Sequence, residues 1–366
     1  MDLDEDQFKK TLEILSMDPF SMLQLEKEER FEKALIELTQ HHISKCSEYK
    51  SIVNHLKATM NWDYQGLESF PFIPVRLFKH LELKSIEEKD IFKEMLSSGT
   101  SNQERSRIIL DRYTAQKQSV TLSKLFKEFI GLNRPPILVV DAPDTIKNRA
   151  TFSARTAGIL GFSYFGKDLT FALRNDFTID IDLIKEFIAR HFDETVLIFG
   201  FTSIIWEHFL TSPELKDSNL VFPNSVLLHG GGWKKLSDQN VNNDLFKSAL
   251  LAELHVQKVI NYYGLVEQTG SLFFECTSGF FHSSIYSNVI VRDSDSFAAI
   301  SPHNVGMLQL QSLLPFSYPG HSILTEDLGE IMGVDKCDCG RNGQIFRVYG
   351  RIPEAEVRGC SDTFER

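Results

Sequence analysis

The sequence predicts an α/β fold. From about Phe92 onward, apolar runs of strand length alternate with stretches of helical period, the pattern of crossover units around a parallel sheet. Residues 1–90 read as mainly helical. After Glu275 the strands crowd together between turns rich in Gly, Pro, Asn and Asp, which suits a smaller β-rich lobe.

Taken in order, Phe8, Leu12 and Leu15 recur at helical spacing, as do Phe31, Ala34, Leu35 and Leu38. Phe70-Pro71-Phe72-Ile73-Pro74 reads as a short loop before another charged helical stretch. Pro136–Val140, Thr195–Phe199 and Ser225–Leu228 are candidate buried strands, and a helix is expected over Leu183–Phe192. There is no internal repeat and no low-complexity linker. The expected division is a core over 1–350, made of a helical part (1–90), an α/β part (91–275) and a β-rich lobe (276–350), followed by a mobile tail over 351–366.

At 366 residues and 41.9 kDa the chain can bury a large core, and its 42% hydrophobic and 24% charged residues are a globular composition. Its 29 phenylalanines point to a deep apolar interior. No run approaches the roughly 18 apolar residues of a membrane span. The start, Met1-Asp2-Leu3-Asp4-Glu5-Asp6, lacks the basic and apolar regions of a signal peptide, so a cytoplasmic location is expected. Cys46, Cys276, Cys337, Cys339 and Cys360 are few and unevenly spaced, which argues against a secreted disulfide framework. A net charge of -11 disfavours a nucleic-acid function, because phosphate binding wants a basic field. His41-His42 reads as a solvated pair on a helix and is assigned no role.

The first chemical signature is Leu96-Ser97-Ser98-Gly99-Thr100-Ser101-Asn102-Gln103-Glu104-Arg105-Ser106-Arg107. Small hydroxyl residues around Gly99 open backbone N–H and side-chain O–H groups to phosphate oxygens. Arg105 and Arg107 add charge and forked hydrogen bonds. The spacing is not that of a Walker loop, and by itself such a cluster is more often a solvated turn.

Four later segments follow in order. His229-Gly230-Gly231-Gly232-Trp233-Lys234-Lys235 directly follows a predicted strand, where glycines permit close backbone approach and where α/β sheets bind ligands. Then come Tyr262-Tyr263-Gly264-Leu265-Val266-Glu267-Gln268-Thr269-Gly270, Thr325-Glu326-Asp327-Leu328-Gly329-Glu330, and Tyr349-Gly350-Arg351. A tyrosine stacks on a purine, a glutamate holds Mg²⁺ and an aspartate accepts two ribose hydroxyls; each residue alone reads as readily as turn or surface. Their order resembles that of the adenylate-forming enzymes. Within that superfamily the chain most resembles the acyl-protein synthetases of bacterial fatty-acid reductase complexes, with phenylacetate–CoA ligases as more distant relatives. The resemblance runs from about Phe92 to the end and rests on Ser97-Ser98-Gly99-Thr100, His229 to Lys234, Tyr263 to Gln268 and Arg358-Gly359-Cys360.

That resemblance implies the N-terminal core of an adenylate-forming enzyme, with ATP and Mg²⁺. Ser97, Ser98, Gly99, Thr100 and Ser101 would hold the pyrophosphate end of ATP, with Arg105 adding charge. Gly230, Gly231, Gly232, Tyr263 and Gly264 would border the adenine, Glu267 would bind Mg²⁺, and Asp327 with Arg351 would hold the ribose. Two departures stand out. Ser101-Asn102 and two arginines replace the family's usual Thr-Gly and lysine in the phosphate loop. Val266 stands where many relatives carry a threonine that touches the α-phosphate, with Thr269 or the loop hydroxyls as substitutes.

In related CoA ligases a mobile C-terminal domain with a catalytic lysine follows the Gly-Arg hinge. Here fifteen residues follow Arg351, so that domain is expected to be lacking. Cys360 lies nine residues beyond Arg351, a reach of about 30 Å when extended. Arg358 and Arg351 favour the thiolate, whose attack on an acyl-adenylate gives a thioester. The resemblance implies the same, since such synthetases carry their acyl group on a cysteine near the C-terminus. An idle exposed thiol is the alternative.

Cys337-Asp338-Cys339-Gly340 places two thiols close together, and Cys276 and His282 supply two more potential ligands. A Cys₃His set suits a structural Zn²⁺; four unliganded residues are the other reading. The function expected is ATP-dependent activation of a long-chain fatty acid and its transfer to Cys360, for delivery to an acyl reductase. The rivals are a ligase that passes the acyl group to CoA or a carrier protein, and an inactive scaffold subunit of a reductase complex.

Overall fold

A computed structural model describes residues 5–60, 66–97, 105–147, 154–233, 236, 239 and 241–352. The chain divides into two compact units. Of the described residues, those up to Ser97, from Arg105 to Glu128 and from Gly264 onward form the first, and those within Phe129–Tyr263 form the second.

In the first unit the N-terminal helices are Lys9–Ser16, Gln24–Lys45 and Ser47–Met60. Phe31, Ala34, Leu35 and Leu38 are fully buried, and their spacing is that of one face of the second helix. That buried face continues through His41 and His42, which corrects the expectation of a solvated pair. The Phe316 carbonyl accepts from His41 Nε2 at 3.1 Å and the Pro315 carbonyl from His42 Nε2 at 3.0 Å. A carbonyl only accepts, so His42 Nδ1 is the acceptor for Ser85 Oγ, at 2.7 Å. Burial pushes His41 down to about 4 and His42 well below the usual histidine value, so both imidazoles are neutral.

The main sheet of this unit runs in the order Phe281–His282, Gln344–Arg351, Ser322–Val334, Gly306–Ser312, Ser287–Arg292, with antiparallel neighbours. Ile73–Pro74, from the segment expected to be a loop, pairs in parallel with Ser322–Val334. A two-stranded antiparallel ribbon, Lys93–Leu96 with Arg107–Leu110, flanks the phosphate-loop segment.

Lys27, on the second helix, is sealed inside this unit, with Nζ 2.8 Å from Ser283 Oγ and 3.3 Å from Gln24 Oε1. Burial pushes its pKa down to about 7, against the opposing pull of Glu28 and Asp335. Between about pH 7 and the unfolded value near 10.4 the unfolded chain binds more protons than the folded one, so stability rises with pH there. Relative to Lys27→Met, the wild type is expected to gain about 1.4 kcal/mol per pH unit between roughly pH 8 and 10. Parallel urea-unfolding profiles across that range would contradict this.

In the second unit five strands lie parallel, in the order Lys167–Phe171, Pro136–Val140, Val196–Phe201, Ser225–Gly230, Lys258–Tyr263. The three candidate strands of the sequence lie here. Every residue of Pro136–Val140, Val196–Phe201 and Ser225–Gly230 is buried, as strands covered on both faces require. Helices separate them, three of which are begun by a side chain that satisfies an orphan N–H: Asp180 for Ile181–Arg190, Ser212 for Pro213–Ser218 and Asn242 for Asn243–Leu254.

Candidate functional site

In the second unit, Pro136–Val140 comes first in the chain and has Lys167–Phe171 on one side and Val196–Phe201 on the other. Successive crossovers therefore leave in opposite directions, and the carboxyl ends of these strands are the position where open α/β sheets bind ligands. Asp141 stands at that end, fully buried, and is gripped by Arg155, itself 3% exposed. Arg155 Nε donates to Asp141 Oδ2 at 3.0 Å and its Nη2 to Oδ1, which also accepts from Thr145 Oγ1 at 2.6 Å and Ala142 N at 2.7 Å. Such a two-pronged pair fixes the carboxyl end of this strand. Sequence reasoning passed over it.

One strand along, Thr202 follows Val196–Phe201 and closes the corner. Its hydroxyl donates to the Gly230 carbonyl at 3.0 Å, so it accepts from His229 Nδ1, also at 3.0 Å. The His229 ring packs against Phe246 and Trp233, and burial lowers its pKa to about 3. The three glycines that follow differ in surroundings. A Cβ on Gly230 would lie 2.6 Å from the Tyr262 ring, and one on Gly231 would lie 2.7 Å from the Phe201 ring. Both glycines admit the protein's own aromatics. Gly232, at φ +76°, has nothing within 4 Å of its Cβ direction and presents backbone at open space.

In the first unit the Gly264–Gly270 segment is tied to the sheet. Gln268 Nε2 donates to the carbonyls of Leu310 and Gly320 at 3.0 and 2.8 Å, and Tyr318 Oη donates to the Glu267 carbonyl at 2.9 Å. The Glu267 side chain is thereby held in a single buried turn, 5% exposed. Burial raises its carboxyl pKa, against the Ser106 hydroxyl, its own backbone and the charges of Arg351 and Lys79. A carboxylate that has lost its water in this way gains from a cation set against it, so Glu267 fits a divalent ion with oxygen ligands. Asp327 and Arg351 are register partners across Ser322–Val334 and Gln344–Arg351, with Nε and Oδ1 3.8 Å apart.

Ser97 and Arg105 stand at the two ends of the phosphate-loop segment. Ser97 Oγ accepts from Ser106 N at 2.8 Å and Ser97 N donates to Ser106 O at 3.0 Å, closing the loop's neck. Ser98, Gly99, Thr100 and Ser101 lie outside the described residues, as do Lys234, Lys235, Arg358 and Cys360. Arg107 is engaged on the ribbon by Glu94 and Glu82. The Thr269 hydroxyl donates to the Val266 carbonyl at 2.8 Å, an internal use of the group suggested as a substitute for the missing threonine.

The structure brings Cys276, His282, Cys337 and Cys339 together in the first unit, with all four ligand atoms within 4.8 Å of one another. No helix among the described residues is long and apolar enough to cross a membrane.

A sequence model of the family described as "Acyl-protein synthetase, LuxE" matches residues 5–366. No curated protein matches the chain. Among solved structures the fold is similar to an open conformation of 2-hydroxyisobutyryl-CoA ligase in complex with 2-HIB-AMP and CoA. The TM-score is 0.68 at 13% identity, over 92% of this chain and 77% of that one. The same ligase in the postadenylation state with R3-HIB-AMP aligns at a TM-score of 0.62 and 13% identity, over 91% of this chain and 69% of that one. At such identity the likeness is one of fold: the core of an adenylate-forming ligase.

Proposed function

The chain belongs to the acyl-protein synthetase family, and on that premise we propose that this ligase activates a long-chain fatty acid with ATP and loads the acyl group onto its own Cys360. From there the acyl group passes to an acyl reductase of a fatty-acid reductase complex in the cytoplasm. The observation that carries the reading is Glu267: a buried carboxylate clamped through Tyr318 and Gln268, in the unit that also pairs Asp327 with Arg351.

A fatty carboxylate oxygen attacks the α-phosphorus of ATP, the bond to the pyrophosphate oxygen breaks, and pyrophosphate leaves. The product is a mixed anhydride. The Cys360 thiolate then attacks its carbonyl carbon and AMP departs with the bonding electrons, leaving a thioester; the thiol proton goes to solvent. Both reactants of the first step are anions, so the residues' task is to neutralise and align them. Ser97 to Ser101 and Arg105 are assigned the pyrophosphate end. In the second unit Gly230 to Gly232 and Tyr263 are assigned the adenine. Gly264 is assigned to the adenine as well, and Asp327 with Arg351 to the ribose hydroxyls. Glu267 would hold the Mg²⁺ that accompanies ATP, and this ion supplies charge to offset the developing pyrophosphate.

The test is ATP–pyrophosphate exchange with the purified chain. Exchange that depends on a long-chain fatty acid is expected. Its absence across chain lengths would favour the scaffold reading, and rapid formation of acyl-CoA would favour the CoA ligase.

A further inference from the structure

We propose that Cys276, His282, Cys337 and Cys339 form a structural zinc site that locks one end of the hairpin bearing Asp327 and Arg351. The residues come from two turns far apart in the sequence. Cys276 sits in the turn before Phe281–His282, and Cys337 and Cys339 in the turn between Ser322–Val334 and Gln344–Arg351. His282 is brought to them by its pairing with Ile345.

The distances fit tetrahedral coordination. Zinc with Zn–S near 2.3 Å and Zn–N near 2.0 Å sets two sulfurs about 3.8 Å apart and a sulfur and a nitrogen about 3.5 Å apart. Cys276 Sγ and Cys337 Sγ are 3.7 Å apart, and Cys339 Sγ and His282 Nε2 are 3.3 Å apart. All four ligand atoms fall within 4.8 Å of one another, so a single ion can touch each. The local backbone supports the same reading. Ser278 N donates to Cys276 Sγ at 3.3 Å, and Gly340 N closes a turn on the Cys337 carbonyl at 2.9 Å with Gly340 at φ +80°. Three thiolates and one imidazole select zinc over magnesium or calcium, and four protein ligands leave no position for substrate. Binding releases the thiol protons as the Zn–S bonds form.

The site has a mechanical consequence. The hairpin carries two register irregularities, at Leu328/Gly329 and at Ile331/Gly333, between its turn and the Asp327–Arg351 pair. An ion that pins the turn to Cys276 and His282 holds the register that sets these two residues opposite each other. The inference does not depend on the acyl-transfer reading.

The experiment is elemental analysis of the full-length chain, purified from zinc-supplemented cells and dialysed against metal-free buffer. One zinc per chain is expected, falling to a small fraction in Cys337→Ser and in Cys339→Ser. Exchange of zinc for cobalt in the wild type should give thiolate-to-cobalt charge transfer and the intense visible bands of tetrahedral cobalt, a readout that needs no folded variant. Zinc that dialyses away, iron in its place, or an intact mass two hydrogens lower from a Cys276–Cys337 disulfide would each overturn the proposal.

Discussion

Glu267→Gln is expected to cut fatty-acid-dependent ATP–pyrophosphate exchange by about 10²–10³-fold, the worth of several kcal/mol of cation-assisted charge stabilisation. Glutamine keeps the size and the hydrogen-bonding oxygen but not the charge. The variant should nonetheless be at least as stable as the wild type. Burial holds the Glu267 carboxyl above its ordinary pKa. The folded chain therefore binds its proton more tightly than the unfolded one, and stability is lost as pH rises from the unfolded value through the raised one. At neutral pH the charge costs stability, and the amide removes that cost. Activity and stability thus move in opposite directions, which a merely structural glutamate would not show. Exchange unchanged in Glu267→Gln, or a large drop in Tm alongside the lost exchange, would sink the assignment. A matching Asp would not serve as a conservative control, because Tyr318 and Gln268 fix the backbone and a shorter side chain retracts the carboxylate.

What could be read from the chain alone depended on how local its cause was. Pro136–Val140 and Ser225–Gly230 are buried on both faces, and burial of that kind leaves a continuous apolar run that is visible in one dimension. The Cys₃His set was legible for another reason: thiols and imidazoles are scarce enough that two close pairs stand out, and the structure brings both pairs together. Asp141 and Arg155 left no such mark. An acid and a base fourteen positions apart are ordinary in a sequence of 24% charged residues, and only the folded chain sets one against the other. His41 and His42 misled because neighbours on a helix point about 100° apart, so burial of both needs walls on two sides. Those walls are Phe316 and Pro315, remote in sequence. Gly230 and Gly231 were legible as close-approach positions, while the approaching groups, Tyr262 and Phe201, were not.

Cys360→Ala is expected to abolish covalent labelling by radioactive fatty acid and ATP while leaving pyrophosphate exchange within about two-fold of wild type. The separation follows from the order of bonds. Adenylation joins a carboxylate to the α-phosphorus and needs no thiol, whereas the thioester needs a nucleophile that outcompetes water. A thiolate does so at neutral pH and a serine hydroxyl does not, because the hydroxyl holds its proton. Cys360→Ser should therefore label weakly at most, and that label should resist neutral hydroxylamine, which strips the wild-type thioester. If both variants keep a hydroxylamine-labile label, another thiol carries the acyl group. Cys46 is then a poor substitute: it is 2% exposed, and burial raises its thiol pKa. Cys276, Cys337 and Cys339 lie together in the proposed zinc site, where metal-bound sulfur is a muted nucleophile. Labelling that survived Cys360→Ala but was lost in Cys337→Ser or Cys339→Ser would place the acyl group in that cluster and overturn the Cys360 assignment. Loss of label with exchange intact fixes Cys360 as the acceptor.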